Sequence, residues 1–273
     1  MALDTVNRTI DQGRRMRVWV GVDGPIAGVQ AFEATATQAI NRYGEYDSDE
    51  QIVDVQTPET NGFIEMLDTE KLDFYCALQG RDTSGDNDIV DADITNFGSP
   101  WIVANVWNKL RTQYTKSILV KKPVFTNNPF TTTLNDATTL RFEFAASRMV
   151  KLPHKAIQID KFTSKVTAAD GIQKLTLSGT ALKLSRRFTT TAGVNSYVLG
   201  VAERQAKGTT PEEYDWVELD VTVATATEIT CKHADGTAFA AGNTILAYYA
   251  VAPTVVSTTW PGDTRGATYV ATA

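Results

Sequence analysis

Leu140-Arg141-Phe142-Glu143-Phe144 alternates apolar and charged side chains without a break. Side chains alternate across a strand but recur every 3.6 residues on a helix, so this stretch predicts a strand with one buried and one solvated face. The same pattern continues on both sides of it. In residues 15–22, Met16, Val18, Val20 and Val22 share one face and Arg17 and Trp19 the other, before the turn signal Asp23-Gly24-Pro25. Residues 29–36, 52–56, 60–66 and 117–122 also read as strands, and the polar stretch 41–49 as a loop. Downstream, 156–166, 172–177, 197–202, 216–223, 228–232 and 244–251 read as strands, with turn signals at Asp235-Gly236 and Ala241-Gly242-Asn243. The 38 threonines among 273 residues fit this, because β-branched side chains favour the pleated surface.

Two helices are expected beside the strands. Asp68 is a good N-cap, Glu70 suits the positive helix end, and Leu72, Tyr75, Cys76 and Leu78 form an apolar stripe that stops at Gly80. Cys76 in that stripe reads as a buried, inert thiol. Ile102, Val106 and Leu110 recur every four residues and predict a second helix over 102–110. Near residue 180 the texture turns richer in Gly, Ala and Thr. The expected organisation is a β-domain with a flanking helix over 1–180 and an all-β region over 181–273.

Composition excludes several classes. Hydrophobic residues are 42% and charged residues 21%, which rules out wholesale disorder. No apolar run reaches the roughly 18–20 residues of a membrane helix, and the polar start of the chain lacks a secretory signal core. Two cysteines, Cys76 and Cys231, cannot make a disulfide framework, and two histidines, His154 and His233, cannot make a His-rich metal site. No phosphate-binding loop, dinucleotide fingerprint, nucleophile elbow or paired metal-binding histidines occur. A Ser–His–Asp triad is assembled only by the fold, and both histidines read as surface or turn residues. The expectation is a soluble, intracellularly made protein that is not an enzyme and carries no cofactor.

One segment has metal-site spacing. Asp82, Ser84, Asp86, Asp88 and Asp93 place oxygen ligands at positions 1, 3, 5, 7 and 12 of a calcium-type loop. Asn87 stands where the loop wants Gly, Asp93 is shorter than the usual Glu, and no helix pattern follows. The stretch therefore reads as an acidic loop, with no metal expected.

The net charge of −6 hides a partition. Residues 45–93 hold fifteen acidic and two basic side chains, whereas residues 101–190 hold fifteen basic and four acidic ones. Two solvated faces would explain this, and so would nucleic-acid binding by the basic block. A third reading is complementary surfaces on copies of one chain that meet head to tail. The basic residues Lys116, Lys121, Lys122, Arg141 and Arg148 are spaced, without an Arg-rich run or an aromatic RNA-binding motif, so the third reading stands above nucleic-acid binding.

The order of segments over residues 28–80 resembles phage tail tube proteins. Two strands lead to the loop with Tyr43-Gly44-Glu45-Tyr46, then Val53-Asp54-Val55-Gln56, a strand over 60–66 and the helix over 68–79. The pair 162–166 and 173–179, the turn and strand over 240–249 and the turn Trp260-Pro261-Gly262-Asp263-Thr264 are similar to segments of phage virion proteins. The resemblance implies a β-sandwich or β-barrel flanked by one helix, in a virion protein of the tail, assembled in the bacterial cytoplasm. It implies self-assembly into stacked, usually hexameric, rings, through whose lumen DNA passes without specific binding. Tail sheath, tape measure, baseplate and terminator proteins would be partners, and a membrane would not. Tyr43, Glu45, Tyr46, Asp47, Asp49 and Glu50 would belong to a ring-stacking loop, and Lys116, Lys121, Lys122, Arg141 and Arg148 to a basic assembly face. Competing readings are a capsid decoration or other virion structural protein, and a carbohydrate-binding β-sandwich module.

Overall fold

The computed structural model describes residues 16–21, 29–37, 40–44, 51–55, 59–67, 100–108, 113–127, 139–165, 171–184, 197–206 and 214–253. Among these the protein is all-β. The strands are β1 (Met16–Val20), β2 (Val29–Thr37), β3 (Ile40–Gly44), β4 (Gln51–Val55), β5 (Glu59–Leu67), β6 (Ile102–Trp107), β7 (Tyr114–Phe125) and β8 (Thr139–Pro153). They continue with β9 (Ala156–Thr163), β10 (Ile172–Thr176), β11 (Val198–Ala206), β12 (Tyr214–Glu218), β13 (Asp220–Ala224), β14 (Glu228–Lys232) and β15 (Thr244–Val251).

Three sheets and a hairpin result. A curled sheet runs β1-β6-β7-β8-β5-β2, a central sheet β12-β11-β15-β9 and a distal sheet β10-β14-β13, while β3 and β4 pair only with each other. Every pairing is antiparallel. The long strand β8 organises the curled sheet. Its first half, 139–146, pairs with β5, and its second half, 144–153, with β7. Leu140, Phe142 and Phe144 point into a core with Val18, Val20, Ile64, Met66, Ile102, Ala104 and Phe125. Arg141 and Glu143 point away, as the alternation predicts. Full burial of each such phenylalanine stabilises by about 1.5–3 kcal/mol.

Midway along the β7–β8 ladder both strands turn over together. Leu119 and Val150 face the central sheet, yet Phe125 and Phe144 face the inner core, although simple alternation would put them on the same side as Leu119 and Val150. The ladder pairs Lys121 with Arg148 and then Pro123 with Ala146, omitting Lys122 and Ser147. Lys122 has φ +50°, a left-handed conformation unusual outside glycine, and the Ser147 hydroxyl donates to the Lys121 carbonyl at 3.1 Å. This paired irregularity lets two long strands bend without losing register, and the sheet curls round its core.

The second half of the curled sheet lies on the central sheet. Trp19, Trp101, Val103, Leu119, Val150 and Leu152 pack on Ile157, Leu199, Leu246, Tyr248 and Ala250. The other face of the central sheet, with Phe162, Val201, Ile245, Ala247 and Tyr249, packs on Leu175, Val221, Ile229 and Cys231 of the distal sheet. Buried on both faces, β15 reads as a continuous apolar run rather than an alternation.

Two expectations change. Residues 102–107 form β6 rather than a helix, because the strand is buried on both sides: Ile102, Ala104 and Val106 enter the inner core while Val103 faces the central sheet. Residues 41–44, the first part of the expected loop 41–49, belong to β3, which pairs with β4. The helix expected over 68–79, with Cys76, lies outside the described residues, as does Trp260-Pro261-Gly262. The change of texture near residue 180 does not coincide with a change of sheet. β9 and β10 precede it, yet pair with β15 and β14 beyond it.

Candidate functional site

The five basic residues assigned to an assembly face do not share one surface. Lys121 is buried and its ammonium lies 2.8 Å from the Glu218 carboxylate on β12 and 4.5 Å from the centre of the Trp101 ring. Burial lowers its pKa, against the opposing pull of Glu218, and Arg148 and Lys122 add to the lowering. Lys122 is half exposed and reaches the other Glu218 oxygen at 3.3 Å. These two lysines clamp the curled sheet to the central sheet. Arg148 sits opposite Lys121 on β8. Arg141 lies on the outer face, 3.8 Å above the Phe63 ring and 3.2 Å from Glu143. Lys116, at the base of β7, neighbours Lys151 of β8; burial and then that second ammonium lower its pKa.

Tyr43 lies on β3 opposite Ile52. Glu45, Tyr46, Asp47, Asp49 and Glu50, the connection between β3 and β4, are outside the described residues. So are Asp82, Ser84, Asp86, Asp88 and Asp93 of the calcium-type loop.

The junction of the two sheets carries further polar staples. The Asn105 side chain donates to the Ile157 carbonyl at 2.9 Å and accepts from the Ile157 N–H at 3.0 Å, acting as a one-residue strand partner for β9. The Ser117 hydroxyl donates to the Lys155 carbonyl at 2.7 Å. Gly200 on β11 is required where the sheets meet, because a Cβ there would lie 2.4 Å from the Trp101 ring.

Two buried polar clusters lie deeper. Asp160, fully buried on β9, accepts from the Ser178 hydroxyl and Tyr249 hydroxyl at 2.7 and 2.8 Å, from the Ser178 N–H at 2.7 Å and from the Gln158 amide at 3.0 Å. Burial, then the Asp160 charge, pushes the Tyr249 phenol well above its ordinary range. In the second cluster Glu203, fully buried on β11, lies 2.6 Å from His233 Nε2 and accepts from Gln205 and Asn243 at 2.6 and 3.1 Å. His233 Nδ1 faces the Thr237 hydroxyl at 2.8 Å and its carbonyl at 3.1 Å.

This carboxylate–imidazole–hydroxyl order has the sequence of groups of a catalytic triad, but its hydrogen bonds run the wrong way. The Thr237 carbonyl can only accept, so Nδ1 carries a proton, and the Thr237 hydroxyl donates to Asp235 at 2.8 Å. The imidazole therefore braces the turn and does not deprotonate the hydroxyl. His233, read from sequence as a surface or turn residue, is buried by this bracing, with Phe239 against its ring at 4.3 Å. His154 is exposed at the turn after β8, as expected, with φ +50°. Cys231 is buried and its thiol pushed up to about 12, mainly by burial, so it is not a nucleophile.

No protein-family model matches the chain, and no curated protein does. Several solved structures are similar to parts of it, among them the following three. The cap that terminates the tube of the anti-feeding prophage has 12% identity over 56% of this chain and 95% of its own, with a TM-score of 0.40. The sheath–tube complex of the PVC extracellular contractile injection system in its extended state has 16% identity over 54% and 94%, with a TM-score of 0.37. The sheath/tube terminator of that system has 17% identity over 51% and 94%, with a TM-score of 0.36.

Proposed function

We infer that the chain is a structural subunit that self-assembles into stacked rings of a phage-type tail tube, a conduit for DNA. The observation that carries this reading is that the curled sheet does not close by strand pairing, although its end strands approach each other. Six strands wrap one core and end on β1 and β2, which pair with no further strand among the described residues. A second sheet covers only one half of the outer face. Open strand edges are a liability for a free monomer and a joint for an assembly, where neighbours add strand to strand. The β3–β4 hairpin supports the reading in a second way. It pairs with none of the three sheets, and the segment joining its strands carries Glu45, Asp47, Asp49 and Glu50. In this reading the hairpin is the ring-stacking element, the rings are hexameric, and acidic surfaces repel the DNA backbone so that it slides without specific binding. The subunit resides in the virion tail, is assembled in the host cytoplasm, meets sheath, tape-measure, baseplate and terminator proteins, and performs no catalysis.

Deleting residues 41–54 tests this directly. The variant is expected to keep its far-ultraviolet circular dichroism and thermal transition but to lose higher-order assembly in sedimentation velocity. Assembly identical to the full chain would overturn the stacking role.

A further inference from the structure

The curled sheet carries two patches of opposite charge. On the half of its outer face that the central sheet leaves uncovered, strand register sets Glu33, Phe63 and Glu143 in one row and Glu65 and Arg141 in the next. Glu59 lies on the same face of β5, four residues before Phe63. Glu33, Glu59 and Glu143 are exposed and Glu65 is partly so. Four carboxylates thus share this face with one guanidinium, which is held by Phe63 and Glu143. At the base of the same sheet Lys116 and Lys151 sit as diagonal neighbours on β7 and β8, on the face opposite to Leu119 and Val150. Lys151 is exposed, Lys116 partly buried. Two ammonium groups held side by side favour an anionic neighbour; burial first, and the Lys151 ammonium second, lower the Lys116 pKa.

The patches cannot meet within one molecule. Glu143 and Lys151 lie eight residues apart along β8, roughly 26 Å of strand at about 3.3 Å per residue. Because both strands turn over at Lys122 and Ser147, the two patches also lie on opposite faces of the sheet. Two complementary patches that point in different directions on one subunit define a heterologous contact, which closes into a ring or propagates as a filament.

We propose that the Glu33–Glu59–Glu65–Glu143 face of one copy receives the Lys116–Lys151 pair of the next, head to tail. The contact rests on the self-assembly reading and names its surfaces. Lys121, Lys122 and Arg148, bound up at the junction between sheets, take no part in it. Complementary charge across such a contact steers association and sets partner choice, and it weakens as salt rises.

The experiment is a charge swap in the full chain. Variant one is Glu33→Lys with Glu59→Lys, and variant two is Lys116→Glu with Lys151→Glu. All four positions are at least partly solvent-exposed, and unchanged circular dichroism and thermal transitions verify folding. Each variant alone is expected to self-associate about tenfold or more weakly than the parent in sedimentation velocity at low salt. An equal mixture of the two is expected to recover association, because each then presents the complement of the other. Variants that assemble like the parent, or a mixture that stays dispersed, would overturn the contact while leaving the self-assembly reading intact. A parent chain that never associates would overturn both. If variant two associates normally but loses binding to a short DNA duplex that the parent binds, the lysine pair is a nucleic-acid site and the contact is wrong.

Discussion

The curled sheet and the central–distal pair use the same antiparallel strands but solve burial differently. The curled sheet wraps one apolar core and leaves half its outer face to solvent, so β8 alternates strictly along its first half. The central sheet is buried on both faces, so β15 loses its alternation and its sheet must accommodate polar groups internally. Asp160, Gln158, Glu203 and His233 are all buried there or against it, each with hydrogen-bond partners. In the curled sheet, Asn105, Ser117 and Lys121 are the buried polar residues that bond across the junction with the central sheet. The inner core of the curled sheet is built from apolar side chains, whereas directional hydrogen bonds fix how the sheets are seated on one another.

The strongest way to break this comparison is to remove Glu203. Glu203→Ala strands His233, Gln205 and Asn243 without their acceptor, and is expected to destabilise by about 3–5 kcal/mol in urea unfolding. Amide exchange should accelerate across residues 197–253 before it does in β5 and β8. Uniform acceleration through the curled sheet would show that the two regions are one cooperative unit. Asn105→Leu comes next. It leaves the Ile157 N–H and carbonyl unpaired, for an expected loss of about 2–4 kcal/mol. The loss should be felt by both regions, since the staple joins them; a neutral effect would mean that apolar packing alone seats the sheets.

Lys121→Met sharpens the same point at lower cost. Only the ammonium leaves: the partly exposed Glu218 carboxylate keeps Lys122 as its partner, and the stem that packs against Trp101 is replaced. The expected change is within about 1 kcal/mol, because Glu218 keeps a cation and some solvent, so no uncompensated buried charge is left behind. A loss of several kcal/mol would make the pair a true stabiliser of the junction. The smallest effect is on acid stability. The Thr237 N–H and hydroxyl both donate to Asp235, holding its carboxyl below the usual carboxylate range. Its contribution is complete above the ordinary carboxylate pKa of about 4 and is lost as pH falls through the lowered value. Asp235→Asn should therefore flatten the acid limb of thermal stability against pH, and an unchanged limb would remove Asp235 from the account of this turn.

What could be read from sequence divides along the same line. A strand with one solvated face was legible, because Leu140 to Phe144 show period two. β6 was not, because burial on both faces erases the alternation, and the spacing of Ile102, Val106 and Leu110 then imitates a helix. The basic residues were legible as charges but not as positions. Nothing in the local sequence shows that Lys121 is covered by β12, which lies about ninety residues later, or that Lys116 and Lys151 become neighbours. His233 beside Asp235-Gly236 looked like a surface turn for the same reason. Its burial depends on Glu203, thirty residues earlier and on another sheet. Local pattern reports one strand's surroundings, while the candidate assembly surface is made of long-range register.

Self-assembly is the central claim, and negative-stain electron microscopy of the purified chain at low and high salt tests it most directly. Hollow tubes or stacked rings at low salt that disperse as salt rises are the expected result. Monodisperse monomers at every concentration and salt would contradict it.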